Sequence, residues 1–135
     1  MRVERTKKGF PALWEDGGAG TNTGVARIIA APDGSPMTPV YIRRRGSLAS
    51  GNHALFIVKP GCFVIEARQH RRDFTIEIYK IKGFDGDEAI LERVNSFDYG
   101  EWDTELTPEL LPAIEAAKEK ALCYHCREPH YIKTE

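Results

Sequence analysis

The chain has 135 residues, 41% of them hydrophobic and 29% charged, a balance that suits one globular domain with its own core and excludes a disordered or fibrous polymer. The longest apolar run, Ala54 to Val58, is far short of the roughly 20 residues of a membrane-crossing helix, and the charged opening Met1 to Lys8 has no apolar segment behind it of the kind a secretory leader carries. Net charge is −1 and the cysteines number three, so a disulfide framework is not expected and a reducing, cytoplasmic setting is.

Residues 1–24 read as an arm followed by a loop. Gly9 to Trp14 holds Phe10, Leu13 and Trp14 without a clear period, and Gly17 to Gly24 has four glycines and no apolar repeat. Residues 25–94 read as an antiparallel β region. Val25 to Ala31 and Pro39 to Arg44 are candidate strands, with Asp33-Gly34 between them as a hairpin signal. His53 to Lys59 and Cys62 to Arg68 suggest a second hairpin, because Pro60-Gly61 suits the centre of a type II turn. Asp73 to Lys82 alternates Phe74, Ile76 and Ile78 with Thr75, Glu77 and Tyr79; the pattern slips at Lys80 and Ile81, as at a bulge. Asp85-Gly86 then turns the chain into Glu88 to Val94.

The period changes over residues 105–122, which read as a helix. Thr107, Pro108 and Glu109 form a helix start, although Pro112 implies that the opening turn is separate. Leu110, Ile114, Ala117 and Ala121 make one apolar stripe, and Glu115 can pair with Lys118. Residues 123–135 form a tail. The fold class expected is mainly β (α+β): a small antiparallel barrel or curled sheet of about six strands, with one C-terminal helix packed over a face or opening. An Arg-rich strand would guard one sheet edge.

Three features carry possible chemistry. In the tail, Cys123 and Cys126 are spaced to share one tetrahedral zinc ion; His130 could be a third ligand and Cys62 a fourth, with His53, His70 or a second subunit as other sources. The alternative is that both tail cysteines only pack. A redox dithiol is disfavoured after a helix C-terminus, where the dipole raises a thiol pKa.

The second feature is basic. Residues 41–82 carry nine Lys/Arg against three Asp/Glu, whereas 83–135 carry five against thirteen. Arg43, Arg44 and Arg45 end one strand; Arg68, Arg71 and Arg72 flank a bend with His70; Lys80 follows. Guanidinium forks suit phosphate. If Tyr41 and Tyr79 shared a solvent face with them, the surface would stack single-stranded nucleic acid. The blander reading pairs the basic and acidic regions with each other, within one chain or between copies of a homo-oligomer.

The third feature is the Gly17–Gly24 loop, which could cradle an anion with help from Thr21 and Asn22. It is neither a Walker loop nor a dinucleotide fingerprint. No catalytic set stands out by spacing. The expected function is therefore a non-enzymatic binding protein for a phosphate-bearing partner, nucleic acid first, with a structural zinc clip. A small anionic ligand or nucleotide held by the glycine loop and nearby arginines is the alternative, and a metal-dependent hydrolase the next.

Overall fold

The computed structural model describes residues 1–19, 23–43, 53–70, 73–97 and 108–121. It is mainly β, with eight strands among the described residues: β1 (Glu4–Arg5), β2 (Pro11–Ala19), β3 (Thr23–Ala30), β4 (Tyr41–Arg43), β5 (His53–Ile57), β6 (Phe63–His70), β7 (Asp73–Asp85) and β8 (Glu88–Phe97). A 3-10 turn, Pro108–Leu110, leads into the helix α1 (Leu111–Lys120). All pairings are antiparallel, in the order β4-β5-β2-β3-β6-β7-β8, with β1 against β2. The expected curled sheet and C-terminal helix are present, but eight strands stand in place of six.

The two additional strands come from the segment read as an arm and loop. Strand β2 changes partner along its length. Ala12 to Glu15 pair with Ile57 to Ala54 of β5, and Asp16 to Ala19 pair with Arg27 to Gly24 of β3. The sheet thus forks into two walls, β3-β6-β7-β8 and β4-β5-β2-β1. Gly17, Gly18 and Ala19 join the ladder with β3, and successive glycines leave no apolar alternation to read in the sequence. The N-terminal segment completes the curl at the start of β8: the Val3 N–H donates to the Asp87 carbonyl at 2.8 Å, and the Ala89 N–H to the Met1 carbonyl at 2.7 Å.

Each face of the first wall buries its own apolar cluster. Ala26, Ile28, Ala30, Phe63, Ile65, Ala67, Ile76 and Ile78 meet Leu110, Ile114, Ala117 and Ala121, the helix stripe expected from sequence. On the opposite face Ile29, Val64, Ile81 and Ala89 meet Leu13, Phe56 and Val58 of the second wall, together with Val3 and Cys62. Strands buried on both faces explain the nearly continuous apolar run in β6. The slip in β7 has the same origin. Its alternation continues, but the helix-side face opens to solvent at Lys80, while the other face enters the second cluster at Ile81. Register shifts against β8 fall between Ile78 and Tyr79 and between Ile81 and Gly83, which agrees with the expected bulge.

Neither expected hairpin forms. One edge of β3 pairs with β6 along its length and the other with β2 from Gly24 to Arg27, while β4 pairs with β5. The Asp33-Gly34 turn instead folds onto the 3-10 turn. The Ser35 N–H and hydroxyl both donate to Asp33 Oδ1, at 2.9 and 2.6 Å, which holds that carboxyl below its usual pKa. Gly34 has φ +83°, and a Cβ there would collide with the Glu109 carbonyl oxygen. Pro60-Gly61 turns as expected, with Gly61 at φ +100° and the Cys62 N–H donating to the Lys59 carbonyl at 3.1 Å. The turn links β5 and β6 across the two walls, however, because each strand finds other partners. The Arg-bearing β4 does lie at a sheet edge. Among the described residues no helix is long and apolar enough to cross a membrane.

Candidate functional site

Strand pairing in the second wall brings Trp14 of β2, Leu55 of β5 and Tyr41 of β4 onto one rung, because Trp14 and Tyr41 both register with Leu55. Arg43 and His53 make a further pair on the same face, two residues along each strand. This is the outer face, away from Leu13 and Phe56. The Arg43 guanidinium carbon lies 4.9 Å from the Trp14 ring centroid, within cation–π range. The Tyr41 ring stands edge-on to Trp14, at 5.9 Å and 79°. The indole N–H of Trp14 donates to Glu4 Oε2, which fixes the plane of the ring from β1. Tyr41 is 53% exposed and Phe10 is 49% exposed, so aromatic surface is open to solvent here.

Concave ground flanks this rung on both sides. On one side Arg2, Arg27, Arg43 and His53 surround Trp14 and Glu4 in an open cavity of about 350 Å³. On the other, Lys7 and Lys8 stand at an apolar groove of about 510 Å³ floored by Phe10, Val40, Tyr41, Leu55 and Ile57. Phe10, Trp14, Lys7 and Lys8 were not among the residues that sequence reasoning put forward. Their segment shows no period, since β2 changes partner within it. The signal that was present is the density of aromatic and basic residues between Arg2 and Trp14.

The other sequence candidates divide as follows. Tyr41 and Arg43 are brought together on the outer face. Arg68 lies on the first wall and exposed, in register with Val25 and Thr75. Tyr79 lies on that wall too, half-buried against the second cluster, so it shares no face with Tyr41. Its hydroxyl donates to Glu77 Oε1 at 2.7 Å, and this bond, with burial, raises its pKa. Lys80 is exposed on the helix side. The proposed zinc ligand Cys62 is a free thiol, fully buried in the second cluster. Thr21, Asn22, Arg44, Arg45, Arg71, Arg72, Cys123, Cys126 and His130 lie outside the described residues. Among the described residues no three His, Cys, Asp or Glu gather closely enough to hold a metal ion.

Among the described residues, charge pairing between the basic and acidic regions is thin. Lys82–Glu92 at 4.0 Å and Arg93–Glu77 at 3.7 Å join β7 to β8 at exposed positions, where such pairs contribute about 0–1 kcal/mol. Arg27 bonds Glu66 at 3.0 Å within the first wall. Among the described residues neither Arg43 nor Arg68 has an ion-pair partner.

No family model matches the chain, and no curated protein matches it. Among solved structures the fold is similar to that of the ORF157 protein of Acidianus filamentous virus 1, solved as a lysine-to-alanine variant. The TM-score is 0.51 at 8% identity, covering 92% of this chain and 84% of that one. At that identity the likeness concerns the fold alone.

Proposed function

We propose that the chain binds single-stranded nucleic acid on the outer face of the β4-β5-β2 wall. The observation that carries this reading is the Arg43–Trp14–Tyr41 group, a guanidinium and two aromatic rings in contact on open strands. Unpaired bases stack on aromatic faces with little regard to sequence, at roughly 1–3 kcal/mol per base. Arginine can lie on an aromatic ring and still offer its N–H edge to phosphate. Lys7, Lys8 and Arg2 supply further cations beside the same rung. A duplex hides its base faces, so the reading commits to single strands. Arg44 and Arg45 follow β4 directly in the chain and would extend the basic track.

The test is fluorescence anisotropy with a labelled single-stranded oligonucleotide and its duplex. Preferential single-strand binding is expected, weakened roughly 5- to 150-fold by Trp14→Ala if one base is unstacked. Absence of binding at about 50 mM salt, where phosphate contacts are strongest, overturns the reading, and so does equal affinity for duplex.

A second reading, a small anionic ligand such as a nucleotide, draws on the cavity that gathers Arg2, Arg27, Arg43 and His53. Saturable binding of mononucleotides with no gain in affinity for longer strands would favour it.

A further inference from the structure

A second cavity, of about 230 Å³, lies where the sheet forks, between β3, α1 and the turn after β3. Its walls are apolar, with Ile28, Met37, Phe56, Pro112 and Ala113 among them, and among the described residues its one ionisable lining group is Glu15. The fork explains that carboxylate. Backbone pairing of β2 with β3 stops at Asp16, and the Ile29 N–H donates at 3.1 Å to Glu15 Oε2, so a side chain takes over where the ladder ends. Glu15 Oε1 lies 3.7 Å from Lys120 Nζ of α1, an ion pair longer than a hydrogen bond. The Glu15 side chain is only 16% exposed.

Burial makes this an expensive place for a carboxylate, and it pushes the Glu15 pKa up. A glutamine or a backbone acceptor would serve the Ile29 N–H at lower cost. A carboxylate offers about four acceptor positions, and the backbone bond and the long Lys120 contact leave room for another donor. The cavity is also held open. The Gly34 turn is seated on the Glu109 carbonyl, and Pro36 and Pro112 stiffen two of its walls.

We propose that this cavity is a binding site for a small primary amine with an apolar body, its ammonium group on Glu15 and its hydrocarbon part against Met37, Phe56 and Ala113. The ammonium takes an acceptor position that the backbone bond and the 3.7 Å Lys120 contact leave free. The volume is that of about eight water molecules at roughly 30 Å³ each, which sets the scale at a small phenylalkylamine. This site is separate from the nucleic-acid face and stands whether or not that reading does.

The experiment is an amide-shift NMR titration of the full chain with 2-phenylethylamine, and with 2-phenylethanol as the neutral analogue of the same shape. Saturable shifts are expected at Ile28 to Ala30, Met37 and Ala113. Binding should be about 10- to 100-fold weaker for the alcohol and for Glu15→Gln, as for loss of a charged hydrogen bond. Ala113→Leu, which fills the cavity and leaves the carboxylate in place, should abolish it. Equal binding of amine and alcohol would make the cavity a plain apolar hole and overturn the proposal. Absence of saturable shifts in the millimolar range, or shifts unaffected by Ala113→Leu, would overturn it as well. Should Glu15→Gln not fold, the alcohol comparison and Ala113→Leu decide the matter.

Discussion

The nucleic-acid reading makes a quantitative demand on Arg43. Arg2, Lys7, Lys8 and Arg43 stand beside the Trp14–Tyr41 rung. If each neutralises one phosphate of a single strand, log affinity should fall with log salt at a slope of about −0.7 per contact, or about −2.8 for these cations together. From about 50 to about 200 mM salt, affinity then drops roughly 50-fold. Arg43→Ala should reduce the slope to about −2.1 and the drop to roughly 20-fold. Contacts from Arg44 or Arg45 would steepen both slopes without changing their difference. Arg43→Lys should keep the slope and lose only the ring contact, about 0.5–1 kcal/mol at an exposed site. Arg43 is exposed on an edge strand, so stability should stay within about 0.5 kcal/mol, which thermal melting checks. The assay is anisotropy at several salt concentrations. A slope unchanged in Arg43→Ala would remove Arg43 from the phosphate path and refute the reasoning.

Three predictions concern the fold. Glu15 has its folded pKa raised above the usual 4.5, mainly by burial, with Lys120 the charged group facing it among the described residues. The folded state therefore holds this proton more tightly than the unfolded one. Its contribution to stability is fully present below about pH 4.5 and is lost as pH rises through the folded pKa. Wild type measured against Glu15→Gln by denaturant melts should show that fall; a difference that grows with pH would contradict the burial argument. Gly34→Ala combines left-handed φ with a backbone collision, so it should cost more than the roughly 1 kcal/mol of the φ penalty alone and lower Tm visibly in calorimetry. Ile65→Ala opens a hole between the first wall and α1, at a side chain with no exposure, and should cost about 2–5 kcal/mol in chemical denaturation.

Much of this fold was legible because its signals are local. The stripe Leu110, Ile114, Ala117 and Ala121 is buried as its spacing required, and Gly61 turns where Pro60-Gly61 placed it. Pairing was not legible, because it is decided by non-local competition. Asp33-Gly34 marks a turn correctly, yet β6 and part of β2 pair with β3, and the next strand pairs with β5. The site was half legible for the same reason. Tyr41 and Arg43 lie on a strand that sequence could place, but the ring that organises them, Trp14, belongs to a strand without a period. Tyr79 looked equally available until the second wall half-covered it.

Both proposed sites trace to strand β2. Its first half carries Trp14 outward to meet Tyr41 and Arg43, and its second half holds β3 through glycine-rich backbone. Between the halves stands Glu15, whose carboxylate closes the gap that the change of partner opens. A strand that paired with β3 along its whole length would need no such side chain, and it would not pair with β5 of the second wall. The glycines that hid β2 from sequence reading lie in the half that pairs with β3. The sequence signal is thus weakest at the segment that determines both surfaces. The cost of the buried carboxylate and the openness of the aromatic face follow from one topological choice.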